Sequence, residues 1–519
     1  MKRYIAIFLL LALLLAGCSS DDPYVPSGDG LTWDEDYTGP IATRPADDEV
    51  QELTLAYYPE ETMNPYTCTE YTNRTLFSLI YQGLFCVDRN YNVEPVLCSR
   101  YTMSENMTTY VFYVDQTATF SDGTHLRPED VIASLKMARD NRMYGSRFSK
   151  VSDISLLEDG GIQIIMNTAY ENLPLLLDVP IVKEAEVELT HPLGTGPYTL
   201  SASATGSQLT RRSNWWCVSD LLISAPYIRL IHADSTNHIR DEFQFGGLNL
   251  VQADPGSDNY ADYRCDYELW DSESGIFLYL GFNLDSSVFS SAEFRSALTY
   301  AIDRDTLAKT YYRGFARSAT LPASPQSPYY NTTLAARYEY NPKTFAAAVA
   351  DAGMTGREIS LLVNSDDSLR LRVAKAIAQM LEAGGLKVTI NASSGDVYRA
   401  YLSQRGFDLY LGQTRLSPNM DLSHFFSASG NLSYGGIADI SIYTLAQQAL
   451  ENHGNYYTLH QAIMEDGFLC PVLFRSYAVY ATRGLLTNLT PSRDNVFYYS
   501  IGKTMEQAYI REQPQKTLE

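Results

Sequence analysis

The sequence predicts an α/β fold, and two observations carry that expectation. The first is an alternation in the second half of the chain. "EISLLVN" (Glu358–Asn364) has strand character, and "SLRLRVAKAIAQMLEAGGLKVTIN" reads as a helix burying Val373, Ile377 and Leu381 that stops at Gly384-Gly385 before another strand. A short helix at 397–403 and the strand "FDLYLG" follow. Strand-helix-strand-helix-strand order implies parallel pairing through right-handed crossovers. The second observation is size: 519 residues exceed what one core accommodates, and the composition, 45% hydrophobic and 19% charged, is that of a soluble globular protein.

From the start of the chain, "MKRYIAIFLLLALLLAGCSS" has a basic tip at Lys2 and Arg3, an apolar run at 5–15 and small residues before Cys18. This pattern predicts a secretory signal at 1–17, too short to span a membrane as a stable helix. "LAGC" (15–18) resembles a bacterial lipoprotein processing box, which implies lipidation of Cys18 and a membrane anchor of two acyl chains. Residues 18–50, rich in Asp, Gly, Pro and Ser with Arg44 as the one basic side chain, read as a disordered acidic tether.

The body opens with a strand at Leu53–Tyr57 and a turn ending at Asn64-Pro65. In "RTLFSLIYQGL", Leu76, Leu79, Ile80 and Leu84 stand at helical spacing. "TTYVFYVD" alternates as a strand, and "FSDGTHLRPEDVIASLKMARD" joins a turn to a helix with Pro128 at its first position and Val131, Leu135 and Ala138 on its buried face.

Toward the end, "DLYLGQTRLSPNMDLSHFF" (408–426) begins as an apolar strand and continues into residues suited to neither strand nor helix. A loop at the carboxyl end of a strand in an open α/β sheet is where such sheets bind ligands. Arg415 there, with Gln413, Thr414 and Asn419 as further donors, suits a carboxylate or another anion. The alternative is that Arg415 pairs with Asp421 or another local acid and braces the loop.

Several function classes are excluded. A net charge of −22 without a Lys/Arg cluster disfavours nucleic acid as a partner. HExxH, GxSxG and SxxK motifs are absent, the spacings of His232/His238 and His453/His460 do not share a helix face, and "GKT" (502–504) has Phe497 where a phosphate loop needs its first glycine. An extracytoplasmic hydrolase is therefore the weaker reading; no catalytic residue, metal or cofactor is expected. The six remaining cysteines fit no zinc motif and read as small buried hydrophobes, with Cys86/Cys98 and Cys217/Cys265 the pairs to test for disulfides.

In chain order, "LIYQGLFCVD", "ATFSDGTHLRPEDVIASL", "GTGPYTL" (194–200), "RRSNWW" (211–216), "FGGLNLV", "LYLGFNLDSSVFSSAEFRSALTYAIDRDTLA", "YNPKTFAAAVADAGM" and "MEDGFLCPVLF" resemble the extracytoplasmic solute-binding proteins of peptide/nickel-type ABC importers, family 5. The resemblance covers residues 52–504. It implies a two-lobed, periplasmic-binding-protein-like fold of type II with a hinge of two strand crossings. Lobe I would comprise 51–270, with an inserted subdomain at about 85–192, and be completed by 474–510; lobe II would comprise 271–473. The resemblance further implies a monomer that traps a peptide or peptide-like solute between the lobes and docks on ABC permease subunits with their ATPases. A non-transporting receptor on the same fold is the alternative. Candidate ligand contacts are Met63, Asn64, Tyr66, Tyr279, Gln413, Thr414, Arg415, Asn419, Asp421 and Arg475, the last on the strand returning through the hinge. In peptide-binding members an aromatic and then an Asp follow the strand matching "FDLYLG" and hold the peptide amine. Here Gln413 stands in the aromatic position, Ser417-Pro418 near the Asp, and Asp421 aligns with a later acid, so the amine clamp is altered or lost.

Overall fold

Period-two apolar patterning builds one large mixed sheet. The computed structural model describes residues 53–203, 206–217, 225–257, 263–486, 488–493 and 495–509; the expected signal, Cys18 and the tether lie outside the described residues. In chain order the sheet strands are β1 (Leu53–Tyr57), β2 (Tyr198–Ser203), β3 (Gly206–Arg211), β4 (Tyr227–His232), β5 (Leu250–Ala253), β6 (Tyr267–Phe282), β7 (Ala316–Ser318), β8 (Glu358–Asn364), β9 (Lys387–Ser393), β10 (Leu409–Arg415) and β11 (Leu469–Thr482). They hydrogen-bond in the order β9-β8-β10-β6-β11-β5-β1-β4-β3-β2, with β7 on β11. The expected parallel unit is present: β8 pairs in parallel with β9 and β10, and the helices Ser368–Ala383 and Gly395–Gln404 connect them.

Two strands run through both lobes. The first half of β6, up to Glu273, pairs with 476–482 of β11, and the second half, from Ile276, with 469–475. The register breaks between Glu273 and Ile276. Gly275 lies in that break at φ +69°, a conformation that favours glycine, and the Arg493 guanidinium occupies the space beside it. This pair of crossings is the hinge that joins the lobes.

Each lobe has its own core. In the first, Leu53, Leu55 and Tyr57 pack with Tyr110, Phe112 and Phe120, which belong to or flank a separate antiparallel sheet of Cys98–Met103, Thr109–Val114, Val151–Leu156 and Ile162–Met166. In the second lobe, alternate residues of β6 serve opposite faces: Leu278 and Leu280 join Val373, Ile377 and Leu381, whereas Phe277 and Tyr279 join Tyr410 and Phe425.

Two local expectations change. "RTLFSLIYQGL" makes two short helices, Tyr71–Arg74 and Phe77–Ile80, and not one reaching Leu84. Tyr81 turns extended because its buried hydroxyl donates to the Met63 and Pro192 carbonyls, tertiary bonds that replace another helical turn. Gln413, Thr414 and Arg415 are the end of β10 and not a loop: β6 residues 276–278 pair with them, so a polar stretch with little strand preference is held extended by its neighbour. No disulfide joins the six described cysteines, so neither tested pair is bridged, and burial pushes thiols such as Cys68 up to about 11.

His460, on the helix Tyr456–Glu465, is wholly buried, and neither ring nitrogen has a hydrogen-bond partner among the described residues. Burial holds its pKa down to about 3. The unfolded chain accepts this proton near pH 6.5, so the stability associated with a neutral His460 is complete above that pH and is lost as pH falls toward about 3. Between about pH 6.5 and 5 the loss should be about 2 kcal/mol. Urea melts of His460→Leu should show a pH dependence shallower by that amount; an identical slope would show that His460 does not couple to folding.

Candidate functional site

At the hinge a cavity of about 290 Å³ opens between the two halves of the sheet. Its wall is built from Tyr71 and Arg74 of the helix Tyr71–Arg74, Thr75 at its end, Gln252 of β5, Ser274 and Ile276 of β6, Gln413, Thr414 and Arg415 of β10, Tyr477 of β11, and Arg493 and Val496. Both lobes and both crossing strands therefore contribute. The Tyr71 and Tyr477 rings lie 4.4 Å apart, giving one side of the cavity an aromatic face.

The polar groups are positioned by the hinge. Arg415 Nε donates to the Ser274 carbonyl at 2.9 Å, tying β10 to the strand crossing. Arg475 donates from Nη2 to both carboxylate oxygens of Asp254, at 2.7 and 2.9 Å, and from Nη1 to Gln413 Oε1 at 3.2 Å. Burial alone would lower the Arg475 pKa, but the Asp254 carboxylate carries it upward, so the guanidinium stays charged. Arg493 donates from Nη2 to the Leu416 carbonyl at 2.7 Å and from Nη1 to Tyr91 Oη at 3.3 Å.

Behind the cavity the hinge strand carries two buried acids. Asp271 accepts from Arg89 at 3.4 Å and from Arg317 at 2.7 Å. Glu273 accepts from Tyr91 Oη at 2.6 Å and Ser324 Oγ at 2.8 Å. Farther out, Glu171 meets the second lobe, its amide donating to the Leu450 carbonyl and its carboxylate accepting from the His453 amide. The two lobes are thus in contact around the cavity.

Of the residues expected at the site, Gln413, Thr414 and Arg415 line the cavity, and Arg475 holds Gln413 from behind. The structure does not bring the others to the wall. Met63, Asn64 and Tyr66 are buried, and their turn locks the segment near 190: Asn64 Nδ2 donates to the Val187 and Leu189 carbonyls at 2.8 Å, and Tyr66 Oη donates to the Pro180 carbonyl at 2.7 Å. Tyr279 is sandwiched edge-on by Tyr410 and Phe425, with Gly412 leaving room for its ring. Asn419 is buried, its carbonyl accepting from Tyr456 Oη, and Asp421 accepts from the Ser423 amide at 2.8 Å. Tyr71, Arg74, Tyr477 and Arg493 were not legible as site residues; Arg493 sits in "PSRDN", a turn-like stretch with no local mark of a ligand contact. No group of His, Cys, Asp and Glu suited to a metal ion occurs among the described residues, and no helix among them is long and apolar enough to cross a membrane.

Comparison with known proteins bears on this arrangement. Residues 92–433 match the model of "Bacterial extracellular solute-binding proteins, family 5 Middle". Among curated proteins the chain is similar to the glutathione-binding protein GsiB of Escherichia coli (strain K12), 23% identical over 361 residues, which is 66% of this chain and 70% of that protein. Among solved structures it is similar to the ABC transporter substrate-binding protein CtaP of Listeria monocytogenes (16% identity, TM-score 0.70, covering 90% of this chain and 100% of that one). It is also similar to NikA of Brucella suis in complex with Fe(III)-EDTA (17% identity, TM-score 0.68, covering 86% and 98%).

Proposed function

Because the chain belongs to the bacterial extracellular solute-binding proteins of family 5, we propose that it captures a peptide or peptide-like solute between its lobes and delivers it to an ABC permease. The observation that carries this reading is the cavity at the strand crossings, walled by residues of both lobes, since only contacts from both sides favour the closed form over the open one. In this reading 51–270 and 474–510 form lobe I, with 85–192 inserted, and 271–473 form lobe II. The protein works as a monomer and performs no chemistry on its solute. Among glutathione and a panel of di- and tripeptides, a binder should raise the melting temperature by linkage and reduce the radius of gyration in small-angle scattering. Binding without compaction would rule out the clamp, and recovery of a chemically altered solute would make the protein an enzyme.

The same reading places the protein on the outer face of the cell membrane through a lipid on Cys18, supported by "LAGC" and the acidic stretch after it. Cys18→Ser should move the protein from the detergent phase to the aqueous phase on Triton X-114 partitioning. Unchanged partitioning would remove the anchor.

A further inference from the structure

Resting on this clamp reading, we propose that the solute is a small polyanion with at least two carboxylate-type groups, bound without an amine contact. Three guanidinium groups, Arg74, Arg415 and Arg493, line the cavity, and no Asp or Glu is among its described lining residues, in a chain whose net charge is −22. Asp254, on the turn after β5, gives both oxygens to Arg475 and is not among the residues that line the cavity.

Arg493 adds an independent observation. It is 7% exposed, and its Nε has no hydrogen-bond partner among the described residues, although Nη1 and Nη2 are both used. A buried charged donor left unmet is costly and suits an acceptor arriving with the solute. The other polar side chains of the wall, Thr75, Gln252, Gln413 and Thr414, can complete the coordination of anionic oxygens.

The charge layout also couples recognition to closure. Arg415 belongs to the second-lobe strand β10, whereas Arg74 follows the first-lobe strand β1. A polyanion between them contacts both lobes at once, an interaction that the open form lacks. The solute thereby supplies the difference between open and closed states that a neutral molecule of the same shape would not. At about 290 Å³ the cavity has roughly the volume of ten water molecules, at the small end for ligand sites, which suits a small solute.

The test is calorimetry on the mature protein with four probes: Glu-Ala-Glu, its N-acetyl derivative, Gln-Ala-Gln-amide and citrate. Citrate or the acidic tripeptide should bind at least tenfold more tightly than Gln-Ala-Gln-amide, and more weakly as salt rises. N-acetylation should change affinity less than threefold. Arg74→Gln and Arg415→Gln should each cost at least tenfold in affinity for the anionic probe; if either variant misfolds, the wild-type ranking of probes still decides. Equal or tighter binding of the neutral amide, or no binding of any carboxylate probe, overturns the assignment, and a tenfold loss on N-acetylation overturns its amine-free part. Scattering on the same samples separates the two readings. Compaction by the neutral amide removes the polyanion and keeps the clamp; binding of the acidic probe without compaction removes the clamp and keeps the polyanion site.

Discussion

Replacing Arg304 with methionine should destabilise the protein by about 3–5 kcal/mol, read from the midpoint of urea unfolding. The Arg304 side chain is buried, and its guanidinium donates to the carbonyls of Ala319 (3.1 Å), Pro471 (3.0 Å), Thr299 (3.1 Å) and Ile302 (3.2 Å) and to Thr299 Oγ1 (2.7 Å). Pro471 lies on β11, so the residue staples the hinge strand to the 3-10 turn Leu298–Ala301 and to the segment after β7. Methionine fills similar space but leaves several buried acceptors unmet, each at a cost of about 1–3 kcal/mol. Relief of burying a charge, which already lowers the Arg304 pKa, offsets part of that sum. Lysine should not rescue, since one ammonium cannot reproduce a planar fork with five donors. A loss below about 1 kcal/mol would mean that the carbonyls find other partners.

Replacing Arg415 with alanine should weaken binding of an anionic solute by about 2–5 kcal/mol, the scale for removing one partner of a desolvated charge pair. The same change removes the bond from Nε to the Ser274 carbonyl, so unfolding stability should fall as well, by about 1 kcal/mol. The bracing and gripping roles posed as alternatives from sequence therefore have separate readouts on one variant. Calorimetry with citrate or the acidic tripeptide, whichever binds wild type more tightly, measures the first effect, and urea unfolding the second. Unaltered affinity with the stability loss present would make Arg415 a brace alone.

Legibility differed sharply between elements. The helix Pro128–Arg139 and the parallel unit β8, β9 and β10 were readable because local signals agree: proline at the first helical position, a buried stripe at helical spacing, and Gly384-Gly385 as a stop. The end of β10 was not, because the polar "QTR" breaks the apolar alternation before it and is held extended by pairing with β6. The position of Gln413, Thr414 and Arg415 at the carboxyl end of a strand located them on the cavity wall, but the expected contacts also included Met63, Asn64 and Tyr66. That turn spends its polar groups on carbonyls near 180–190, leaving them nothing to offer a solute.

By itself the sequence determined what depends on spacing along the chain: alternating strands, amphipathic helices, their parallel connections, and the ordered segments that place the chain in its family. Only the tertiary structure decided which charges meet. Asp254 and Arg475 pair across more than two hundred residues, and Arg74, Arg415 and Arg493 come from three distant segments to one cavity. The reason is that an ion pair or a cavity wall is set by separations in space, which the two long crossing strands impose by carrying the chain from one lobe to the other and back.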